Sequence, residues 1–228
     1  MRRRRKTAVL LGLVAGAAVL SACVFLPDFA SQKRAGKYEP VEARQTQQPS
    51  TTALMPTAEQ QTEPHTCGLH AMRSMYVAYG LDPDAFRLRF RLGTDQPAVR
   101  ADGESTGTLH PDLYRVLAQD GLKAEPVDLG DSGAGALVAS HLGEGQLALV
   151  VVYRGTYHWV LAAAGDEPGR VVVLDSLVDE PVELAMDELV GDALSITLVE
   201  PADGSEAIDA SDAHAKGLAE MARLYGRK

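Results

Sequence analysis

The sequence predicts an α+β domain, in which N-terminal helices pack on an antiparallel sheet from the C-terminal part. Apolar residues recur at helical spacing up to about residue 142, and after that they alternate with a period of two. Short turn-forming segments join the apolar runs at 157–164 and 170–175 to each other and to the run before them. Consecutive strands joined in this way are antiparallel neighbours. The domain predicted from these patterns covers residues 59–201, a usual length for one domain.

Four helices are expected in the first part of this domain. The first begins at Thr66, a good N-cap residue, and stops at Gly80, which suits the position after a helix end. Between these two residues, apolar side chains recur every three or four positions. The other three helices are expected at 82–91 with Asp82 as the cap, at 110–120 ending before Gly121, and at 133–142.

The second part of the domain reads as strands. The four expected strands are 146–153, 157–164, 170–175 and 194–200. Residues 124–128 could add an edge strand, and residues 181–192 are interpreted as a helix or an irregular turn. Residues 202–228 are predicted to be a linker and a C-terminal helix whose docking face contains Leu218, Met221, Ala222 and Tyr225.

The N-terminus has the pattern of an export signal. Residues 2–6 are Arg-Arg-Arg-Arg-Lys, residues 7–19 carry no charge, and Leu-Ser-Ala-Cys ends at Cys23. That ending resembles the bacterial lipobox, so residues 1–22 are predicted to be a lipoprotein signal peptide cut before a lipidated Cys23. Ordinary secretion and an uncleaved anchor are the alternatives.

A polar tether is expected after the lipidated cysteine. Residues 23–58 are rich in Gln, Thr and Ala and lack apolar periodicity, so they cannot bury enough surface to offset the entropy of ordering. The expected location is therefore outside the cytoplasm, on the periplasmic or cell-surface side of a membrane, with the domain held away from the bilayer.

The charge of the chain argues against some classes of partner. The chain has 22 Lys and Arg and 31 Asp and Glu residues, and removal of residues 1–22 would leave 17 against 31, a formal net charge of −14. A nucleic-acid binder should carry a basic surface, so no nucleic-acid partner is expected. Electrostatic attachment to anionic lipid is disfavoured for the same reason, and the acyl chains on Cys23 would supply the membrane contact.

Cys67 would be the one thiol left after lipidation, and it lies at the predicted start of the first helix. The dipole of a helix stabilises negative charge at its N-terminus, which favours the reactive thiolate. Gly68 is expected to leave room for the backbone of a substrate. The alternative is that Cys67 is a small buried apolar residue, a common fate of a free cysteine.

His158 and Asp175 lie on either side of a predicted hairpin whose midpoint is near residue 167. Residues symmetric about that midpoint pair, so His158 should face residue 175 or 176. Imidazole is well suited to removing a thiol proton near neutral pH, and a carboxylate can fix the ring and stabilise imidazolium. Alternatively, His158 is a core or surface histidine and Asp175 a solvated strand end.

Two further features near Cys67 have competing interpretations. Gln61 lies six residues before Cys67, where its amide could join the Cys67 backbone N–H in an oxyanion hole, with Gln60 as a competitor. His65, Cys67 and His70 could be read as a metal cluster, but no second pair of ligands follows at zinc spacing. We therefore expect no metal and no cofactor. His110 and His141 are expected to be surface residues.

Taken together, residues 59–200 resemble the papain-like C39 peptidases, the double-glycine leader peptidase type. The resemblance is carried by Gln61, by Cys67-Gly68 opening a helix, by GTLHPDLYRVLAQDGLKAEPV in the middle, by His158-Trp159-Val160 on a strand, and by Asp175 after an apolar strand. Thr66 stands where the family usually has Asp, and Ser176 stands where Pro is usual.

The resemblance implies a papain-like fold and a cysteine peptidase. It implies that Cys67 is the nucleophile, His158 the base, Asp175 the orienting acid and Gln61 the oxyanion ligand. Such leader peptidases usually act from the cytoplasmic side of a fused transporter, whereas this chain carries an export signal. The expected partner is a peptide or protein substrate outside the cytoplasm, and any envelope or transporter partner stays open. The alternative is a catalytically inactive binding or assembly module of the cell envelope.

Overall fold

The computed structural model describes residues 59–96, 103, 105–204 and 208–226. The predicted signal peptide, Cys23 and the rest of the predicted tether (residues 1–58) lie outside the described residues, so the fold concerns the domain and the C-terminal helix. Among the described residues, no helix combines the length and the apolar character needed to cross a membrane.

Six helices and six strands occur in the described part of the chain. The helices are α1 (Cys67–Ala78), α2 (Ala85–Arg91), α3 (His110–Gln119), α4 (Ala134–Gly143), α5 (Met186–Asp192) and α6 (Ala210–Tyr225). The strands are β1 (Leu122–Pro126), β2 (Leu147–Tyr153), β3 (Tyr157–Ala164), β4 (Arg170–Leu174), β5 (Val182–Ala185) and β6 (Ser195–Pro201). The predicted α+β class, with helices before the sheet, is confirmed.

The six strands form one antiparallel sheet in the order β1-β6-β2-β3-β4-β5. The short connections β2–β3 and β3–β4 are the hairpins expected from the sequence, and β1 lies at the edge as predicted. Strand β5 was not predicted as a strand: the segment 181–192 begins with this edge strand, which pairs with β4, and then continues as α5.

Two apolar clusters cover the two faces of the sheet. Odd-numbered residues of β2 and β3 pack with residues of α1, α2 and α3 on one face. Even-numbered residues of the same strands pack with α4 and α5 on the other face. Successive side chains of a strand point to opposite faces, and both faces of this sheet are covered. Every residue of β2 except the last is therefore buried, which explains why the strand is a continuous apolar run.

Helix α1 ends where the sequence predicts. Gly80 has a φ of +74°, the left-handed conformation that glycine adopts without strain. Its backbone N–H bonds to the carbonyl of Val77, and the N–H of Leu81 bonds to the carbonyl of Tyr76 at 2.8 Å. These two hydrogen bonds form a Schellman motif, which satisfies carbonyl groups left over at the end of the helix.

Helix α2 is shorter than predicted, and its cap is Asp84 rather than Asp82. The Asp84 side chain accepts a hydrogen bond from the backbone N–H of Arg87 at 2.8 Å. Pro83 lies between the two acids, and proline has no backbone N–H and disfavours helical backbone in the residue before it. The helix therefore starts after the second acid.

The C-terminal helix α6 docks on α3, but by a different face from the predicted one. Its buried residues are Ala213, Gly217 and Glu220, whereas Leu218 is 46% exposed. A Cβ at Gly217 would lie 2.3 Å from Cα of Pro111, so glycine allows the two helices to approach closely. The apolar periodicity predicted the wrong face because the contact uses a glycine and a paired acid instead of large apolar side chains.

Candidate active site

Cys67 is the first residue of α1 and a free thiol. Its side chain packs into the cluster between α1 and the sheet, and the residue is only 5% exposed. The fold thus places the sulfur at the N-terminal end of a 12-residue helix, where the dipole favours a thiolate.

Two residues beside Cys67 have roles other than those expected. Thr66 occupies the N-cap position, but its hydroxyl donates to the carbonyl of Glu63 at 2.8 Å and does not cap the helix. A Cβ on Gly68 would lie 2.4 Å from Cβ of Thr108. Gly68 therefore makes room for the segment that carries Thr108, which is a different close approach from the substrate contact expected from the sequence.

His158 and Asp175 are in direct contact. His158 is 2% exposed, and its Nε2 lies 2.7 Å from Oδ1 of Asp175. The same carboxylate oxygen accepts a hydrogen bond from the backbone N–H of Leu177 at 2.9 Å. This second bond folds the chain after β4 around the carboxylate and holds it toward His158. With Nε2 bonded to the carboxylate, Nδ1 is the ring nitrogen left for another group.

The register between β3 and β4 differs slightly from the predicted one. Leu161 pairs with Leu174 and Ala164 with Val171, so the same register extended to His158 would place it opposite Leu177. Asp175 is two residues from that position and is therefore a diagonal neighbour on the same face of the hairpin. Diagonal neighbours remain within reach of long side chains, so the contact forms without direct pairing.

The pKa of His158 is raised from its usual value. Burial alone lowers the pKa of an imidazole, but the hydrogen bond to Asp175 and the interaction with the Cys67 side chain outweigh it and raise the pKa of His158 to about 9. Cys67 on the helix and Asp175 after the hairpin therefore both act on the protonation of His158.

The pKa of Asp175 is shifted in the opposite direction. Burial raises the pKa of a carboxyl group, but the hydrogen bonds from His158 and from the backbone N–H of Leu177 outweigh burial and lower the pKa of Asp175. The positive charge of Arg154 adds to this effect. Asp175 is therefore a carboxylate at neutral pH, in the state required to accept a hydrogen bond from the ring.

Gln61 lies beside the end of β4, where it contacts Ser176, the residue that follows Asp175. Its backbone N–H bonds to the carbonyl of Ser176 at 3.0 Å, and its Oε1 accepts a hydrogen bond from the Ser176 hydroxyl at 2.7 Å. The Ser176 hydroxyl therefore fixes the carboxamide with its NH2 group as the remaining hydrogen-bond donor. The competing residue, Gln60, instead pairs through its amide with Asp179 on the surface.

A cleft of about 640 Å³ opens at Cys67. Its wall is formed by residues at and just before the start of α1, by the segment 105–109, by β2, β3 and the turn between them, and by α6. The lining residues are Pro64, His65, Cys67, Ser105, Thr106, Gly107, Thr108, Leu109, Val151, Thr156, Tyr157, Trp159, Met221 and Tyr225.

Trp159 holds the cleft segment in place. Its indole N–H donates to the carbonyl of Thr108 at 2.9 Å, and its ring lies 4.7 Å from the ring of His110. His110 is 1% exposed and its Nε2 is 2.8 Å from Oγ of Ser195, so the expectation of a surface histidine is wrong. Burial lowers the pKa of His110 to about 3, with a further contribution from Arg223, and the ring is neutral.

An ion-pair cluster lies at the edge of the cleft. Glu63, His65 and Asp95 place ligand atoms close enough together for a metal ion. However, Arg89 bonds to both oxygens of Glu63, at 3.0 and 2.6 Å, and its Nε donates to Asp95 at 2.7 Å. The hydrogen bond from Arg89 lowers the pKa of Glu63. Because the guanidinium already pairs with both carboxylates, the described residues support an ion-pair network at this place.

The grouping of His65, Cys67 and His70 does not occur as a cluster. His70 bonds through Nδ1 to Oε2 of Glu59 at 3.1 Å, and His65 pairs with Asp95. His141, the other histidine expected at the surface, is partly buried and its Nε2 lies 3.1 Å from the carbonyls of both Leu147 and Val199.

Sequence reasoning missed the residues that line the cleft away from Cys67. Met221 and Tyr225 belong to the face predicted for the C-terminal helix, but nothing in their spacing says that this helix reaches the thiol. Tyr157 is the first residue of β3 and is 46% exposed, so its position in the hairpin alone does not mark it as part of a site. Only the packing of α6 on α3 brings the three side chains to one place.

Of the comparisons with known proteins, only the comparison with solved structures finds similar proteins. No protein-family model and no curated protein matches the chain. The chain is similar to the peptidase domain of Streptococcus ComA, a bifunctional ABC transporter involved in a quorum-sensing pathway, with a TM-score of 0.46, 11% identity, and coverage of 64% of this chain and 98% of that domain.

A second solved structure is similar to the same degree. It is a double-glycine-motif protease from an AMS/PCAT transporter in complex with the leader peptide, with a TM-score of 0.45, 15% identity, and coverage of 65% of this chain and 96% of that chain.

Proposed function

We propose that this protein is an extracytoplasmic cysteine peptidase, anchored to a membrane through a lipid on Cys23. The observation that carries the proposal is the buried contact between His158 and Asp175, together with the interaction of His158 with Cys67 at a helix start. These three residue types in this order are what thiol-based acyl transfer requires. Cys67 is one of the residues that line the cleft, which supports entry of a peptide at this place.

The proposed first step transfers the acyl group to sulfur. The thiol proton of Cys67 passes to Nδ1 of His158, and a bond forms between Sγ and the peptide carbonyl carbon. The tetrahedral intermediate then collapses as the C–N bond breaks, and His158 gives its proton to the leaving amine. The raised pKa of His158, about 9, favours the imidazolium form that this donation needs.

The proposed second step regenerates the thiol. Water attacks the thioester carbonyl and loses a proton to His158, the C–S bond breaks, and the proton returns to sulfur. The negative oxygen formed in each step would be bound by the NH2 group of Gln61 and by the backbone N–H of Cys67, since donors aimed at that oxygen stabilise the transition state. Asp175 keeps Nε2 occupied throughout, so that Nδ1 faces the reaction.

A catalytically inactive binding or assembly module on the same fold is the second candidate. The observation that favours it is the burial of Cys67, which is 5% exposed and belongs to the apolar cluster. In this candidate the cleft binds a peptide segment of an envelope partner and leaves the thiol unused.

Covalent labelling separates the two candidates. An electrophilic peptide analogue, such as a peptidyl acyloxymethyl ketone, should label Cys67 in the folded protein, as located by mass spectrometry of tryptic peptides. Labelling should be lost in His158→Ala and retained in the matched control His70→Ala, because His70 lies on α1 but pairs with Glu59. A thiol that stays inert in the folded protein and reacts only after denaturation would instead favour the binding module.

The lipid anchor has its own test. Radiolabelled palmitate should be incorporated into the wild-type protein in cells and not into Cys23→Ser. Incorporation that survives this substitution would remove the basis for the anchor, independently of any result at Cys67.

A further inference from the structure

Helix α6 forms one wall of the cleft at Cys67. Met221 and Tyr225 lie four residues apart, so they occupy the same face of the helix one turn from each other. Both side chains line the cleft together with Cys67, Val151 and Trp159. The C-terminal helix is therefore part of the space that a peptide would enter next to the sulfur.

The position of α6 is fixed by several contacts away from the cleft. Gly217 lets it approach the backbone of Pro111, and Lys216 pairs with Glu125 at 2.7 Å. Arg223 binds both oxygens of the buried Glu220, at 3.0 and 2.6 Å, and also donates to the carbonyl of Leu194 at 3.0 Å. Because these contacts set both the position and the rotation of the helix, they determine where Met221 and Tyr225 face.

Tyr225 is also held from the opposite wall. Its ring lies 4.9 Å from that of Tyr157 at an interplanar angle of 79°, an edge-to-face contact. Tyr157 in turn makes an edge-to-face contact with Tyr153, with ring centres 6.2 Å apart. This aromatic row joins α6 to the β2–β3 hairpin. Tyr157, the first residue of β3, directly precedes His158.

The lining has the chemistry of an apolar site. Among the described residues that line the cleft, His65 is the only one with an ionisable nitrogen, and it already pairs with Asp95 at the edge. The part contributed by α6 and β3 consists of a methionine, two tyrosines and the tryptophan. Methionine adapts to differently shaped apolar groups, and aromatic rings provide large contact areas.

We propose that Met221, Tyr225 and Tyr157 form a selectivity site that accepts a bulky apolar side chain, such as Leu, Met or Phe, close to the scissile bond of a peptide substrate. This inference deepens the proposed function, because it takes the ligand of the cleft to be a peptide. The site excludes acidic side chains, since none of its members offers a positive charge and the chain as a whole has a formal charge of −9.

Binding to a Cys67→Ser variant tests this site without requiring catalysis. The probes are acetylated, amidated hexa-alanine peptides in which one position at a time carries Leu, Phe or Asp. Trp159 is the chain's single tryptophan and lines the cleft, so its fluorescence reports binding directly. At one position, Leu or Phe should bind about tenfold more tightly than Ala, as expected for burial of an apolar side chain, and Asp should bind more weakly than Ala.

Substitutions on α6 assign the preference to its residues. Met221→Ala and Tyr225→Ala, each combined with Cys67→Ser, should reduce the ratio of Ala to Leu dissociation constants to about threefold or less. Leu218→Ala is the matched control, because Leu218 lies on the same helix but is 46% exposed and does not line the cleft. Met221→Lys should change the preference from Leu to Asp at the same peptide position. Such a gain of affinity for Asp cannot result from unfolding.

The outcomes separate this inference from the proposed function. Apolar selectivity that depends on Met221 and Tyr225 supports the site even if Cys67 resists covalent labelling. Resistance to labelling would count against the proposed hydrolysis but not against the selectivity site. The inference is overturned if no peptide position prefers Leu or Phe, or if the preference persists unchanged in Met221→Ala and Tyr225→Ala. It is also overturned if Met221→Lys folds, as judged by circular dichroism, and still prefers Leu.

Discussion

Nε2 of His158 lies 2.7 Å from Oδ1 of Asp175, although the two residues are not direct partners across the hairpin that joins their strands. The contact is diagonal, and it depends on a second hydrogen bond, from the backbone N–H of Leu177 to the same carboxylate oxygen at 2.9 Å. The chain therefore orients the acid by local backbone geometry after β4. Because Nε2 is bonded to Asp175, Nδ1 is the ring nitrogen of His158 that remains to interact with Cys67.

The first prediction concerns the pH dependence of peptide hydrolysis. Because the pKa of His158 is raised to about 9, kcat/KM should fall as the pH rises through about 9, where the imidazolium that protonates the leaving amine is lost. Asp175→Asn removes a carboxylate that raises this pKa, so the alkaline limb should move to lower pH, and kcat should fall by about 10²-fold or more.

The measurement is the full pH profile of kcat/KM for a fluorogenic peptide, compared between the wild type and Asp175→Asn. An NMR titration of the His158 ring in the two proteins gives the same pKa without relying on activity. A limb that stays near pH 9 in Asp175→Asn would contradict the assigned role of the carboxylate.

The second prediction is that two buried histidines make stability fall on both sides of about pH 6.5. For His158 the folded pKa is raised above the unfolded value of 6.5, so its contribution is complete below 6.5 and is lost as the pH rises toward 9. For His110 the folded pKa is lowered to about 3, so stability is lost as the pH falls from 6.5 toward 3. Each group changes the free energy of unfolding by at most about 1.4 kcal/mol per pH unit.

Urea unfolding at a series of pH values checks this prediction. His110→Gln should flatten the acidic side, and His158→Gln should flatten the alkaline side, without affecting the opposite limb. The lowered pKa of Asp175 adds a separate loss of stability below its usual value of 3.8, so the slope due to His110 should be measured between pH 4 and 6.5. A single histidine variant that flattened both sides would refute the assignment.

Most of the fold could be predicted from the sequence, because binary patterning and turn residues are local. The change from helical to alternating periodicity near residue 142 gave the α+β class, and the C′ position of Gly80 gave the end of α1. Strand β5 was missed because it has only four residues and continues directly into α5, so its short alternation could not be separated from a helical pattern. The cap of α2 was placed two residues early because Pro83 separates two equally suitable acids.

Only part of the candidate site could be predicted from local sequence patterns. Residues 158 and 175 could be brought together because a hairpin couples positions symmetric about its turn, even with the register slightly wrong. The approach of α6 could not be predicted, since its buried face depends on Gly217 and on the pairing of Glu220 with Arg223. His110 looked like a surface residue because histidine gives no apolar signal, yet its ring packs on Trp159.

The third prediction concerns Gln61 as a ligand of the oxyanion. Gln61→Ala should lower kcat by about 10²-fold with a smaller effect on KM, because a donor to the developing negative oxygen acts mainly in the transition state. Ser176→Ala removes the hydroxyl that holds Oε1 of Gln61 at 2.7 Å, so it should lower kcat by a smaller factor.

Gln60→Ala is the matched control, because Gln60 pairs with Asp179 on the surface and should leave both constants near wild type. Steady-state kinetics with one fluorogenic peptide compares the three variants. If Gln60→Ala lowered kcat more than Gln61→Ala, the two glutamines would have to exchange roles.

The fourth prediction concerns Gly217, the residue that allows α6 to dock. Alanine is favoured over glycine inside a helix by about 1 kcal/mol. In Gly217→Ala, however, the new methyl group would lie 2.3 Å from Cα of Pro111, and backbone atoms of His110 and Pro111 cannot move aside as a flexible side chain could. Overpacking costs about 1–3 kcal/mol, so after the gain in helix propensity we expect net destabilisation of up to about 2 kcal/mol, and displacement of the helix from α3.

Gly135→Ala is the control for helix propensity, because nothing lies within 4 Å of a Cβ at this position of α4. It should be neutral or slightly stabilising in urea unfolding, whereas Gly217→Ala should lower the free energy of unfolding. A displaced α6 also moves Met221 and Tyr225 away from the cleft, so Gly217→Ala should weaken selectivity for apolar peptides even where the protein remains folded. Equal stability of the two variants would mean that α6 can shift along α3 without losing its contacts, and that the close approach at Gly217 does not fix the wall of the cleft.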